Sequence, residues 1–134
     1  MKKIINSIKN ISLKITIKKG KVILYFMGDS CNLLKKTKSE LEIEEMIKSC
    51  KRTTPKVVDM KNKYKIKIIN IDKKNSIAKE FNISSVPTFI LLFNNKELMR
   101  ANGEKTKKEI KDFINYENFY QKFLNNLNKK SKLM

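Results

Sequence analysis

A small α/β domain is predicted, with a mixed central sheet flanked by helices, parallel strands first and an antiparallel hairpin last. Three observations predict it. Val22–Phe26 and Phe89–Phe93 are apolar runs, as buried strands require, and Ile66–Ile71 holds four isoleucines. The long segment between Phe26 and Ile66 carries helical periodicity. Asn94-Asn95, directly behind Phe93, is a turn pair that starts a hairpin.

At 134 residues the chain is long enough for one domain with its own core, and no apolar run reaches the roughly 18 residues of a membrane helix. A hydrophobic share of 40% with 33% charged residues fits a soluble globular protein. The net charge of +18 rests on lysine, since Arg52 and Arg100 are the only arginines among 31 basic residues. Lysine is spread over nearly every segment. Specific readers of nucleic acid lean instead on arginine forks and stacked aromatics. A basic surface with non-specific attraction to polyanions at low salt is the expectation, and nucleic acid is not the expected partner. With no histidine and two cysteines, a Cys/His zinc site, a Ser-His-Asp triad, a Cys-His dyad and a disulfide scaffold are all excluded.

In chain order, residues 1–28 hold seven lysines and no acid. Ile4, Ile5, Ile8 and Ile11 stand at helical spacing and a strand is expected around Leu13–Ile17, the alternative being a basic targeting segment. Gly20 punctuates, Val22–Phe26 is a central strand, and Met27-Gly28-Asp29-Ser30 breaks it, with Asp29 or Ser30 as cap for the next helix. From Asn32 to Cys50 the pattern is helical, with Ile43, Met46, Ile47 and Cys50 on one face. Thr53-Thr54-Pro55 is expected to break that helix, and a second piece starts at Pro55 and ends near Tyr64. Ile66–Ile71 is a strand and Asn75–Phe81 a short helix. After the turn Glu97–Ala101 pairs back as an edge strand that Gly103 ends. Thr106 caps a final helix with Ile110, Phe113 and Ile114 facing in, and Phe119, Phe123, Leu124 and Leu127 extend it toward a basic tail.

The stretch Asn82–Phe93 organises the rest. Proline cannot donate to a sheet ladder, so Pro87 belongs at the start of its strand, behind a constrained turn. Val86-Pro87-Thr88 also resembles the thioredoxin family, in which this triplet carries a cis-proline facing the reactive cysteine. The element order matches that family's fold from about residue 13 to residue 115. A single domain over 1–134 follows, with a basic segment 1–12, an extended second helix or insertion, a long C-terminal helix, and a helical and basic C-terminal extension over 116–134. The central sheet should have four to five strands.

In the family a strand-end aromatic residue precedes a short loop and a Cys-x-x-Cys at a helix start, followed by Lys and, five residues after the second cysteine, Pro. A helix N-terminus stabilises the thiolate that attacks, and the second cysteine resolves the mixed disulfide. Here the two flanks survive but have separated. Phe26 precedes Cys31 by five residues, and Cys50-Lys51-Arg52-Thr53-Thr54-Pro55 reproduces the right-hand flank, with eighteen residues between the cysteines instead of two. Deleting Leu33–Lys48 would restore Cys31-Asn32-Ser49-Cys50.

Three readings of the gap compete. If Asn32–Cys50 is one straight helix, it spans roughly 28 Å, and a disulfide needs Cα atoms within about 7 Å. If the segment loops out and returns, the cysteines stay adjacent. In the third reading the working protein lacks the segment altogether. The uninterrupted periodicity, without Gly or Pro, favours the straight helix.

Other departures mark the site as degenerate: Ser30 stands where the family's tryptophan precedes the first cysteine, Tyr25 where it has a buried proton-accepting aspartate, and Ser84 where it has a glycine. The resemblance implies a weak or monothiol thiol–disulfide exchanger acting on protein disulfides, with Cys31 attacking, Cys50 resolving only if brought close, and Val86, Pro87 and Thr88 presenting the substrate backbone. It implies no metal or organic cofactor, and electrons from a reductase or glutathione. The alternatives are a redox-inactive binding module holding a protein partner and, third, a basic nucleic-acid-associated protein. A reduced cytosol is the expected compartment, an organelle such as a mitochondrion or plastid the alternative.

Overall fold

A computed structural model of the chain describes residues 20–116. Among these residues four strands form one sheet in the order β2-β1-β3-β4. The central strand β1 (Lys21–Met27) pairs parallel with β2 (Ile66–Asn70) and antiparallel with β3 (Thr88–Phe93), and β4 (Lys96–Asn102) closes the hairpin. The helices are α1 (Glu40–Tyr64), α2 (Asn75–Glu80) and α3 (Lys107–Ile114). The expected helix over Ile4–Ile11, the strand around Leu13–Ile17 and the extension through Leu127 lie outside the described residues.

Strand alternation splits the core in two. Val22, Leu24, Phe26, Ile90 and Leu92 face one way and pack with Ile77, Ala78 and Phe81 around α2. Ile23, Tyr25, Phe89 and Leu91 face the other way and pack with Ile110, Phe113 and Ile114 of α3. Because both faces are covered, β1 is buried from Val22 to Phe26, which is why it reads as an unbroken apolar run. Asn94 and Asn95, both at positive φ (49° and 67°), make the two-residue turn that joins β3 to β4. Asparagine tolerates the left-handed region better than other non-glycine residues.

The long helix α1 departs from expectation in two places. It starts at Glu40, not Asn32, and is capped by Ser39, not Asp29 or Ser30. The Glu42 N–H donates to Ser39 Oγ and the Ser39 N–H to Glu42 Oε1, a reciprocal cap spelled out in Ser39-Glu40-Leu41-Glu42. Between Cys31 and Ser39 the chain makes one 3₁₀ turn (Asn32–Leu34) and a tight turn in which the Thr37 and Lys38 N–H groups reach the Leu34 carbonyl. A straight helix from Asn32 to Cys50 is therefore wrong.

The second departure is that α1 runs unbroken through Pro55 to Tyr64. Proline removes one intrahelical hydrogen bond but leaves the face that packs. Ile43 and Cys50 lie in the α2-side cluster, Val57 and Met60 in the α3-side cluster, so both ends of α1 are held by tertiary contacts across the proline. Thr53 is fully buried just before it, and its Oγ1 finds no hydrogen-bond partner among the described residues.

Candidate functional site

Met27, Gly28 and Asp29 carry the chain off the end of β1, and Asp72 holds the loop that follows. Its carboxylate accepts the N–H groups of Asp29 (2.7 Å), Ser30 (2.9 Å) and Cys31 (2.9 Å), and Asn70 Nδ2 donates to the Asp29 carboxylate at 2.9 Å. Cys31 can thereby adopt a left-handed conformation (φ 56°) that a residue with a Cβ takes up only when held. Partial burial raises the Asp72 pKa, but the hydrogen bonds from Ser30, Asp29 and Cys31 together outweigh it and keep the carboxyl below its ordinary value.

A carboxylate with a depressed folded pKa stabilises the fold above its unfolded pKa, and that contribution is lost as pH falls through the folded value. Asp72→Ala removes the shared acceptor of three backbone donors, and about 2 kcal/mol of stability should go with it in urea titrations at pH 7. The loss should shrink as the pH is lowered toward 3. Asp72 also disfavours a thiolate on Cys31. Asp72→Asn should therefore make Cys31 easier to alkylate while weakening the fold.

Gly28 lies against Cys31. A Cβ built on Gly28 would lie 2.8 Å from Cys31 Sγ, and the Gly28 backbone pulls the Cys50 thiol pKa down. Both thiols are free, and both belong to the α2-side core cluster. Of the readings left open by the sequence, the straight helix is excluded, and Cys31 and Cys50 lie in one core cluster. The chain goes out through 31–39 and comes back along the first ten residues of α1.

Both thiols are shut in. Cys31 is 0% and Cys50 1% exposed. Burial pushes the Cys31 thiol up to about 12, helped by the charge a Cys50 thiolate would carry and by Asp72 and Asp29, with Lys35 opposing. Burial likewise raises Cys50, to about 11, against the lowering effect of the Gly28 hydrogen bond. Desolvation disfavours the charged form of a thiol, so neither sulfur is activated in this arrangement.

Tyr25 lies on the opposite face of β1 and reaches across to α1. Its hydroxyl is 2.9 Å from Thr54 Oγ1 and its ring stacks, tilted, on Phe89. Burial raises its pKa far above that of a free phenol. The Thr54 hydrogen bond works the other way, and the nearby Cys50 sulfur adds to the rise. At neutral pH it is a protonated phenol, which cannot take a proton from Cys50 as a carboxylate could.

On the other side stands the proline loop. The Val86–Pro87 peptide is cis. The Pro87 carbonyl accepts the Gly103 N–H at 2.8 Å, and the Thr88 hydroxyl sits 2.7 Å from the Ser85 carbonyl oxygen and 2.8 Å from Asn102 Oδ1. The Val86 N–H donates to Met46 Sδ of α1 at 3.5 Å. Val86, Pro87 and Thr88 are all buried. Cys31, Cys50 and Val86 share one core cluster, with Met46 packed against it. The sequence reading missed Asp72 and Met46. Asp72 is visible only as the loop residue after a strand, and Met46 only as one more apolar residue on a helix face.

An α/β sheet in this order, with a cis-proline at the head of the third strand and a cysteine in the loop after the first, defines a thioredoxin-type domain. The Thioredoxin family model matches residues 5–116, and the chain belongs to that family. It is 36% identical over 76 residues to the thioredoxin of Buchnera aphidicola subsp. Baizongia pistaciae, covering 53% of this chain and 69% of that protein. Against the thioredoxin of Rickettsia felis the identity is 34% over 71 residues, 49% of this chain and 67% of the other. Among solved structures, a thioredoxin from Nicotiana alata superposes with a TM-score of 0.55 at 25% identity, over 81% of this chain and 83% of that one. The thioredoxin of Fasciola hepatica gives 0.57 at 15% identity, over 81% and 88%, a likeness of fold. Among the described residues no helix is long and apolar enough to cross a membrane.

Proposed function

We propose that the chain is a thiol–disulfide oxidoreductase that acts on protein disulfides and is slow because its dithiol is covered. The observation that carries this reading is the burial of Cys31, Cys50 and Val86 in one core cluster, in a chain of the thioredoxin family. The Cys31 thiolate attacks one sulfur of a substrate disulfide, forming a mixed disulfide and expelling the other sulfur as a thiolate. Cys50 then gives up its proton and attacks the Cys31 sulfur, which releases the second substrate thiol. The substrate is reduced by two electrons, and the protein is left with a Cys31–Cys50 disulfide. A reductase or glutathione returns it to the dithiol, in a reducing compartment, cytosolic or organellar. With Tyr25 protonated, no side-chain base takes the Cys50 proton, which passes to the expelled substrate thiolate, and resolution is slow.

Insulin reduction with dithiothreitol as electron source tests the assignment. Cys31→Ser should abolish turnover, and Cys50→Ser should accumulate the mixed disulfide. Turnover that survives Cys31→Ser removes Cys31 from the role. A second reading, a binding module whose cysteines only pack the core, draws support from Tyr25 in place of a carboxylate and from the burial of both thiols. It predicts no turnover in the unaltered protein and unchanged partner binding in Cys31→Ser.

A further inference from the structure

The eighteen residues between the cysteines do more than separate them. Leu34 (4% exposed) and Ile43 (5%) are buried in the same cluster as Cys31, Cys50 and Val86, and Leu33, Met46 and Ile47 pack on that cluster from the edge. Met46 precedes Cys50 by one helical turn, so the two lie on one face of α1. From there its thioether accepts the Val86 N–H, although sulfur is a weak acceptor and the site would suit a carbonyl oxygen better. The Pro87 carbonyl and the Thr88 hydroxyl are already bound within the fold. Outside Met46, an open groove of about 370 Å³ runs between the first turns of α1 and Ser85, and Leu41 on its rim is 68% exposed.

We propose that residues 32–49 are an internal occupant of the substrate groove, in which Met46 fills the place of a substrate backbone acceptor at the Val86 N–H. Met46 is then a specificity-determining residue. An incoming extended peptide reaches Cys31 only by displacing the Met46 thioether and offering its own carbonyl to Val86, with the flanking Leu41 groove as the surface it first meets. A carbonyl is the better acceptor, so the exchange favours peptides over small disulfides that carry no backbone. This inference rests on the thiol–disulfide reading of the same site.

The test compares native-state iodoacetamide labelling of Cys31 at pH 8, followed by mass spectrometry, with insulin reduction by the same proteins. Met46→Ala should speed labelling about fivefold or more, whereas Ile47→Ala, which removes packing but no contact to Val86, should change it only as far as its loss of stability explains. The deletion of Leu33–Lys48 should speed both labelling and insulin reduction. If Met46→Ala and Ile47→Ala speed labelling equally at matched stability, or neither does, Met46 is not the occupant. If the unaltered protein reduces insulin as fast as the deletion protein, exchange stands and the occupant is overturned. If the deletion protein labels fast but leaves insulin intact, the occupant stands and exchange is overturned.

Discussion

Cys31 should react with iodoacetamide at pH 7 about fiftyfold more slowly than a free thiol on thiolate chemistry alone, and still more slowly once its cover is counted. The thiol is raised to about 12. Against an ordinary thiol this lowers the thiolate fraction at neutral pH by about a thousandfold, and the greater nucleophilicity of a more basic sulfur returns roughly twentyfold. Burial of the sulfur adds a steric term in the same direction. The pH profile carries the sign. Below the folded value the rate should climb about tenfold for each pH unit, with no plateau between pH 7 and 9. A thiolate activated for exchange would instead level off below pH 8. Stability moves the other way: from the free-thiol value near 9 up to about 11 for Cys50 and 12 for Cys31, the unfolded chain sheds thiol protons that the folded chain keeps. Stability therefore falls with pH across that window.

Gly28→Ala should be the most damaging single-methyl addition in the loop, costing about 1–3 kcal/mol in urea unfolding, the range expected for overpacking a filled core. The added Cβ would stand 2.8 Å from Cys31 Sγ and 3.1 Å from Ile71 Cγ1. Both side chains are fully buried, so neither can swing into solvent to make room. Cys31→Ala in the same chain should recover part of the loss, because it removes the nearer of the two colliding atoms. Gly28→Ala alone should also hinder disulfide formation, since the methyl crowds Cys31 Sγ. If it unfolds at the same urea concentration as the unaltered protein, the close approach at Gly28 is not real.

The β-structure was legible because its signals are local. β1, β2 and the β3–β4 hairpin follow from runs of apolar residues and from Asn94-Asn95, and α3 from Thr106 with Glu109 three residues on, which closes a full capping box. The same box at Ser39 and Glu42 was present in the sequence but was outweighed by periodicity running back to Asn32. Periodicity says which residues share a face, not where a helix starts. Pro55 misled for the opposite reason. A local rule against proline inside helices yielded to burial of Ile43, Cys50, Val57 and Met60 on both sides of it.

The site was legible in its parts and not in its arrangement. Cys31, Cys50 and the Val86-Pro87-Thr88 loop could be picked out from their flanks. That both cysteines reach one core cluster depends on a turn at 35–38, on the Ser39 cap and on Asp72, forty-one residues beyond Cys31. No short-range pattern announces a carboxylate that gathers three backbone donors from a distant loop. Both cysteines are buried in a cluster that Leu34 and Ile43 share and Met46 packs against. This is a tertiary fact about a segment whose composition reads only as amphipathic helix.

Cys31 and Cys50 can work as a dithiol only if they are close enough to join. The measurement that tests this most directly is the intact mass of the full chain after mild diamide oxidation, with and without alkylation under denaturing conditions. Adjacent cysteines predict a monomer two hydrogens lighter that takes up no alkylating agent. A monomer that keeps its full mass and alkylates at both Cys31 and Cys50 would contradict the returning excursion, and with it the dithiol mechanism.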